Sequence, residues 1–232
     1  MEKIISPEAV RVLGVLIEKE LSTPDYYPMT LNALVNGCNQ KSNRDPVVEF
    51  GEFQIRELLD ELNRARLTGH ASVAGSRSEK FRHAAAHQWE LGVEAMAIMA
   101  SLMLRGPQTV GELRTHTARM ATFESMETVA EVLQGLMDRE SPLVMSIGRA
   151  PGQKGERFAH LLCGPVDVEE VFAAGSGGSA VLGPGMSGSG MSGSGMSGSG
   201  NASGALLEEI EALKSRLEAL EAEFERFKSQ FE

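Results

Sequence analysis

A helix, a short capped helix, a longer helix and a strand-turn-strand hairpin follow one another twice along this 232-residue chain. That duplication limits the possible folds more than any other feature. In the first copy, apolar spacing predicts a helix near Pro7–Glu20 that buries Val12, Leu13, Leu16 and Ile17. Thr30 is placed to cap a second helix whose Leu31 and Leu34 turn inward, and a third helix, about Glu52–Arg66, buries Ile55, Leu58, Leu59 and Leu62. "ASVAGSRSEKFRHA" then reads as strand, turn, strand.

The second copy predicts a helix near Val93–Leu104, a cap at Thr109 with Val110 and Leu113 inward, and a third helix, about Ser125–Arg139, burying Val129, Val132, Leu133 and Leu136. "PLVMSIGRAPGQKGERFAHLL" supplies its hairpin. The third helices match at an offset of 74 and the capping threonines at 79, so the first copy has a loop about five residues longer. That loop holds "NQKSNRDP". Three helices and a hairpin form the winged helix-turn-helix pattern, and two copies make a tandem. The expected fold class is mainly α with small β-hairpin wings, an α+β protein.

Four segments are expected: winged-helix domains at 1–86 and 87–172, a tether at 173–204 and a heptad helix at 205–232. The tether is almost wholly Gly, Ser, Ala and Met, a composition that cannot bury enough apolar surface to offset its ordering entropy. As a flexible coil of about 32 residues its r.m.s. reach is roughly 30 Å. In the last segment Leu206, Ile210, Leu213, Leu217, Leu220, Phe224, Phe227 and Phe231 alternate spacings of four and three, a coiled-coil seam. Parallel pairing sets Glu209 against Lys214, Arg216 against Glu221 and Glu223 against Lys228, all attractive. An antiparallel pair centred near the middle sets like charges together, so a parallel homodimer is expected, with a helix folded back on its own domains as the alternative.

"LSTPDYYPMTLNALVNGCNQKSNRDPV", "LRGPQTVGELRTH" and "PGQKGERFAHLL" resemble the YceH family of uncharacterised bacterial proteins over about residues 6–163. The resemblance implies the tandem winged-helix fold in a cytoplasmic bacterial protein. It brings no activity or site residues with it, and it does not account for the tether.

The chemistry of the residues points to binding. Cys38 and Cys163 form no CxxC pair and read as small hydrophobes in a reducing compartment. His83 and His87 share the i, i+4 spacing of a metal pair, with Glu90 nearby. No further ligand converges, and "HAAAH" reads more simply as a surface stretch between domains. There is no phosphate loop after a strand, no GxSxG elbow and no catalytic cysteine setting. No enzyme activity, metal or cofactor is expected. The N-terminus lacks a secretory apolar stretch and the longest apolar run, "AMAIMASLML", is short of a bilayer span, so a cytoplasmic protein with no membrane partner is expected.

The formal net charge of -10 is concentrated at the C-terminal end. Residues 205–232 hold eight acids against four bases and residues 164–204 three acids and no base, which leaves residues 1–163 only mildly acidic. A local basic patch is compatible with that balance. Arg77, Lys80 and Arg82 make the first hairpin basic, Arg149, Lys154 and Arg157 the second, and Arg64 and Arg66 end the third helix beside the first hairpin. Lys41, Asn43 and Arg44 in the long loop complete the expected nucleic-acid contacts, for DNA ahead of RNA. The alternative function of those loop residues is to satisfy an irregular backbone. Against nucleic acid stand the acidic faces of the third helices, Glu57, Asp60 and Glu61 in one and Glu127, Glu131 and Asp138 in the other. They suit a protein partner, the alternative function.

Overall fold

A computed structural model describes residues 4–71, 78–149 and 155–175 of the chain. Among them no helix is long and apolar enough to cross a membrane. The tether, the heptad helix with its seam from Leu206 to Phe231, and the hairpin-tip residues Arg77 and Lys154 lie outside the described residues.

The protein is a mixed α+β structure in which one order of elements occurs twice. Helix α1 (Pro7–Ser22) starts where the Ser6 hydroxyl accepts from the Ala9 N–H and Pro7 presets the first turn; it stops at Thr23 before Pro24. Strand β1 (Met29–Thr30) leads into α2 (Leu31–Cys38), capped as expected by Thr30, which accepts from Ala33 N–H at 3.3 Å. Helix α3 (Glu52–Arg64) follows, then β2 (Thr68–His70) and β3 (Lys80–His83). The short helix α4 (Ala85–Trp89) leads to the second set: α5 (Val93–Arg105), β4 (Gln108–Thr109), α6 (Val110–Thr117), α7 (Met126–Met137), β5 (Val144–Gly148) and β6 (Arg157–His160), with α8 (Val168–Gly175) after them.

Each set contains a three-stranded antiparallel sheet, in the order β1-β3-β2 and β4-β6-β5. Strand β2 lies just before the stretch from Ala71 that was expected to supply it, while β3 and the second pair, β5 and β6, fall within the expected segments; each sheet also gains a third strand, two residues long and too brief to show an alternation of its own. The registers coincide between sets. Phe81 and Phe158 face Met29 and Gln108, while His83 and His160 face Thr68 and Val144. The N–H groups of Leu67 and Leu143 return to the carbonyls of Leu62 and Leu136, ending each third helix in the same way.

The third helices bury Ile55, Leu58, Leu59 and Leu62 in one set and Val129, Leu133 and Leu136 in the other, at the expected positions, with Val132 partly buried. The two first helices behave differently. Every residue of α1 from Ala9 to Ile17 is buried, as is every residue of α5 from Met96 to Leu104. A helix apolar on all sides needs neighbours on all sides, and α1 and α5 supply each other. A Cβ on Gly14 would stand 3.0 Å from Met103 Cβ and 3.1 Å from Leu104 Cγ. The described residues accordingly form one compact unit, with a core running through both sets.

The long loop after α2 joins the two sets. Asp45 N–H donates to the Leu104 carbonyl at 2.8 Å, Arg105 donates to the Asn43 side chain, and Arg11 reaches the Pro46 carbonyl at 2.7 Å. Asn43 lies in the left-handed region (φ 61°), which its short polar side chain tolerates. Elsewhere along the seam Ile5 N–H donates to Leu162 O, and Arg139 donates to Trp89 O.

Candidate nucleic-acid interface

The expected contact residues divide by exposure. In β3 the inward positions are Phe81 and His83, so Lys80 and Arg82 project from the opposite face of the sheet, Lys80 half-buried and Arg82 exposed. Arg82 is paired in register with Gly69, which has no side chain to shield it. Arg64 and Arg66 are exposed where α3 ends; Arg64 Nε donates to its own helix at Asp60 O, and Arg66 takes a left-handed conformation (φ 65°) that turns the chain into β2. Among the described residues no carboxylate pairs with Lys80, Arg82 or Arg66.

Two acids of α3 and the hairpin are engaged within the fold. Glu61, expected on a solvent face, accepts from both Ser6 N–H at 2.7 Å and Ser6 Oγ at 2.8 Å and closes off the start of α1. Glu79 lies between Arg56 at 3.2 Å and His70 Nδ1 at 3.1 Å. Glu57 and Asp60 remain exposed.

The remaining expected contacts among the described residues have different surroundings. Arg44 is buried, and its guanidinium donates to both Glu18 oxygens, to Gln40, and to the Gly37 and Asn43 carbonyls, so it serves the loop and does not face a ligand. Lys41 and Asn43 are exposed beside it. Arg157 is half-buried and donates to Glu112 at 3.2 Å and to Pro107 O at 2.8 Å, joining β6 to the start of α6. There Thr109 and Glu112 form a capping box. The "TVGE" spacing of that box was the sequence signal for Arg157's partner. The register equivalent of Arg157 in the first set is Lys80, and the third helical residue there is Ala33, which offers no carboxylate. Arg149 is exposed.

His83 and His87 sit on different elements, strand and short helix, so no helical i, i+4 pair exists. His83 is buried with Nε2 against Glu20, and its N–H donates to Tyr27 Oη at 2.7 Å; it is not the surface residue the sequence suggested. Burial lowers its pKa, against the pull of Glu20. No group of three or more metal-ligating side chains exists among the described residues. Cys38 is fully buried and its thiol is pushed up to about 12 by burial, which leaves it inert.

A cleft of about 150 Å³ separates α3 from the hairpin, lined by Arg56, Asp60 and Asn63 from the helix, by His70 of β2 and by Glu79 just before β3, over Leu59 and Phe81. The i, i+4, i+7 spacing of Arg56, Asp60 and Asn63 places them on one helix face, and this was the available signal for residues that charge alone did not single out.

Residues 5–153 match the family model described as "Protein of unknown function, DUF480". A UPF0502 protein of Geobacter metallireducens is 48% identical over 171 residues, 73% of this chain and 77% of the relative. The UPF0502 protein of Herminiimonas arsenicoxydans is 40% identical over 215 residues, 93% of this chain and 88% of the relative. That of Aeromonas hydrophila is 42% identical over 178 residues, 75% and 82%. None of these three names denotes an enzyme. The chain belongs to the DUF480 family, the UPF0502 proteins of bacteria, whose function is unknown.

Proposed function

We propose that this is a non-enzymatic, cytoplasmic tandem winged-helix protein that binds nucleic acid, DNA ahead of RNA, through the first hairpin and the end of α3. The strand orders β1-β3-β2 and β4-β6-β5, each following three helices, support the assignment of winged-helix modules to residues 1–86 and 87–172. One observation carries the binding site: Arg66, Lys80 and Arg82 have no carboxylate partner among the described residues, while Glu61 and Glu79 beside them are held by Ser6, Arg56 and His70. Cations with no internal partner lose little on meeting phosphate, and they gain counterion release. In the second module Arg157 is committed to Glu112, so the first module is the principal reader and Arg149 a peripheral contact.

The heptad seam pairs two chains in parallel, and the tether holds four modules near one target without dictating their orientation. A second reading, a protein-binding scaffold, has its own support in α7: Glu127 and Glu131 on the helix and Asp138 just after it are exposed, and among the described residues none of them forms an ion pair. Anisotropy titration of a labelled random duplex over a salt series tests the nucleic-acid reading, and absence of binding at low salt overturns it.

A further inference from the structure

The charge inside the cleft between α3 and the hairpin differs from the charge beside it. Within it, Arg56 and His70 are both turned onto Glu79, at 3.2 and 3.1 Å, so the Arg56 guanidinium already has a carboxylate partner. Asp60 has no cation paired with it among the described residues, and Asn63 adds an amide with one acceptor and two donors. Under these polar groups lies an apolar floor of Leu59 and Phe81, with the His70 ring 5.2 Å from that of Phe81 and tilted by 47°. At about 150 Å³ the space is well below the few hundred Å³ typical of sites for drug-sized ligands. It is of a size for one small group. An acceptor-rich rim repels phosphate and attracts a neutral ring that carries amino donors.

We propose, building on the nucleic-acid reading above, that this cleft takes one unpaired nucleobase bearing an exocyclic amine, while Lys80 and Arg82, on the other face of the hairpin, and Arg66 hold phosphates of the same duplex. Asp60 accepts from the amine, as a carboxylate does from cytosine, and Asn63 pairs with an adenine edge through its acceptor and donor together. Aromatic rings at the floor and wall suit an unstacked base, which duplex DNA does not offer. The target class is therefore a duplex with an unpaired base, at an end or a bulge, in preference to a blunt duplex. Thymine, which has no amine, is disfavoured.

Four probes test this with the full chain: a labelled blunt duplex and the same duplex with a single 3′ dA, dC or dT overhang, titrated at fixed salt. The expected result is roughly tenfold tighter binding of the dA and dC probes than of the blunt and dT probes. Asp60→Ala and Asn63→Ala, both at exposed helix positions, abolish that preference and leave blunt-duplex affinity within about twofold, with unchanged circular dichroism. Equal affinity for all four probes, or a preference that survives both substitutions, overturns the cleft while leaving the wing contacts standing. Failure to bind any probe overturns both.

Discussion

Arg44 and Glu18 meet in two parallel hydrogen bonds, Nη1 to Oε1 at 3.1 Å and Nη2 to Oε2 at 2.6 Å, with the arginine side chain fully enclosed. This pair anchors the long loop to α1, and the loop's next residue, Asp45, ties to α5 of the second set. Removing one partner strands a buried charge. Arg44→Met is expected to cost about 3–5 kcal/mol in urea unfolding at pH 7, and Lys41→Ala, on the exposed side of the same loop, less than about 0.5 kcal/mol.

Acid should weaken the same pair. Burial alone would raise the Glu18 pKa, but the hydrogen bonds and charge of Arg44, with Lys19, outweigh it and hold it below the usual value. A depressed carboxylate stabilises the fold above its unfolded pKa, and that contribution is lost as pH falls through the lower folded pKa. Glu18→Gln should be less stable than the parent at pH 7, with the gap closing below about pH 4.

His160 predicts a separate, milder window. Burial lowers its pKa to about 4, and its Nδ1 is buried with no hydrogen-bond partner among the described residues. The unfolded chain binds the proton near pH 6.5, so stability contributed by the neutral ring is complete above that value and falls as pH drops towards 4. Urea midpoints should register a loss of about 1–2 kcal/mol between pH 7 and pH 5 that His160→Leu removes.

Gly14 separates the two first helices. Alanine there would gain up to about 1 kcal/mol of helix propensity, but its Cβ meets Met103 at 3.0 Å and Leu104 at 3.1 Å. Overpacking of about 1–3 kcal/mol outweighs that gain, and Gly14→Val should be worse than Gly14→Ala. Because the core is shared, Trp89 fluorescence and far-ultraviolet circular dichroism should follow one coincident thermal transition; two transitions would mean that the sets fold separately.

The seam from Leu206 to Phe231 predicts a dimer. Light scattering should give twice the chain mass for the full protein and the single mass for a chain ending at Gly204. Equal masses would eliminate pairing through this helix.

Local periodicity was enough to read most of the fold. The caps at Thr30 and Thr109 and the buried faces of α3 and α7 follow from spacing within a dozen residues. The partners that decide which charges are available come from farther away. Arg44 looks like a solvated loop cation until Glu18, 26 residues earlier, encloses it, and Glu61 looks like a surface acid until Ser6, 55 residues earlier, donates to it. Charge position along the chain thus identified the basic residues of the candidate interface but could not separate Lys80 and Arg82 from the committed Arg44 and Arg157. The cleft depends on α3 and the hairpin facing each other, which no single segment encodes.

The salt dependence of duplex binding reports on the phosphate contacts of Lys80 and Arg82. Every cation taken away from a phosphate should lower the slope of log affinity against log salt by about 1. Lys80→Ala/Arg82→Ala should therefore weaken binding of a random duplex at low salt and flatten the slope by about 2, with the thermal midpoint unchanged. A parent and double variant with the same affinity and the same slope would mean that Lys80 and Arg82 do not meet phosphate.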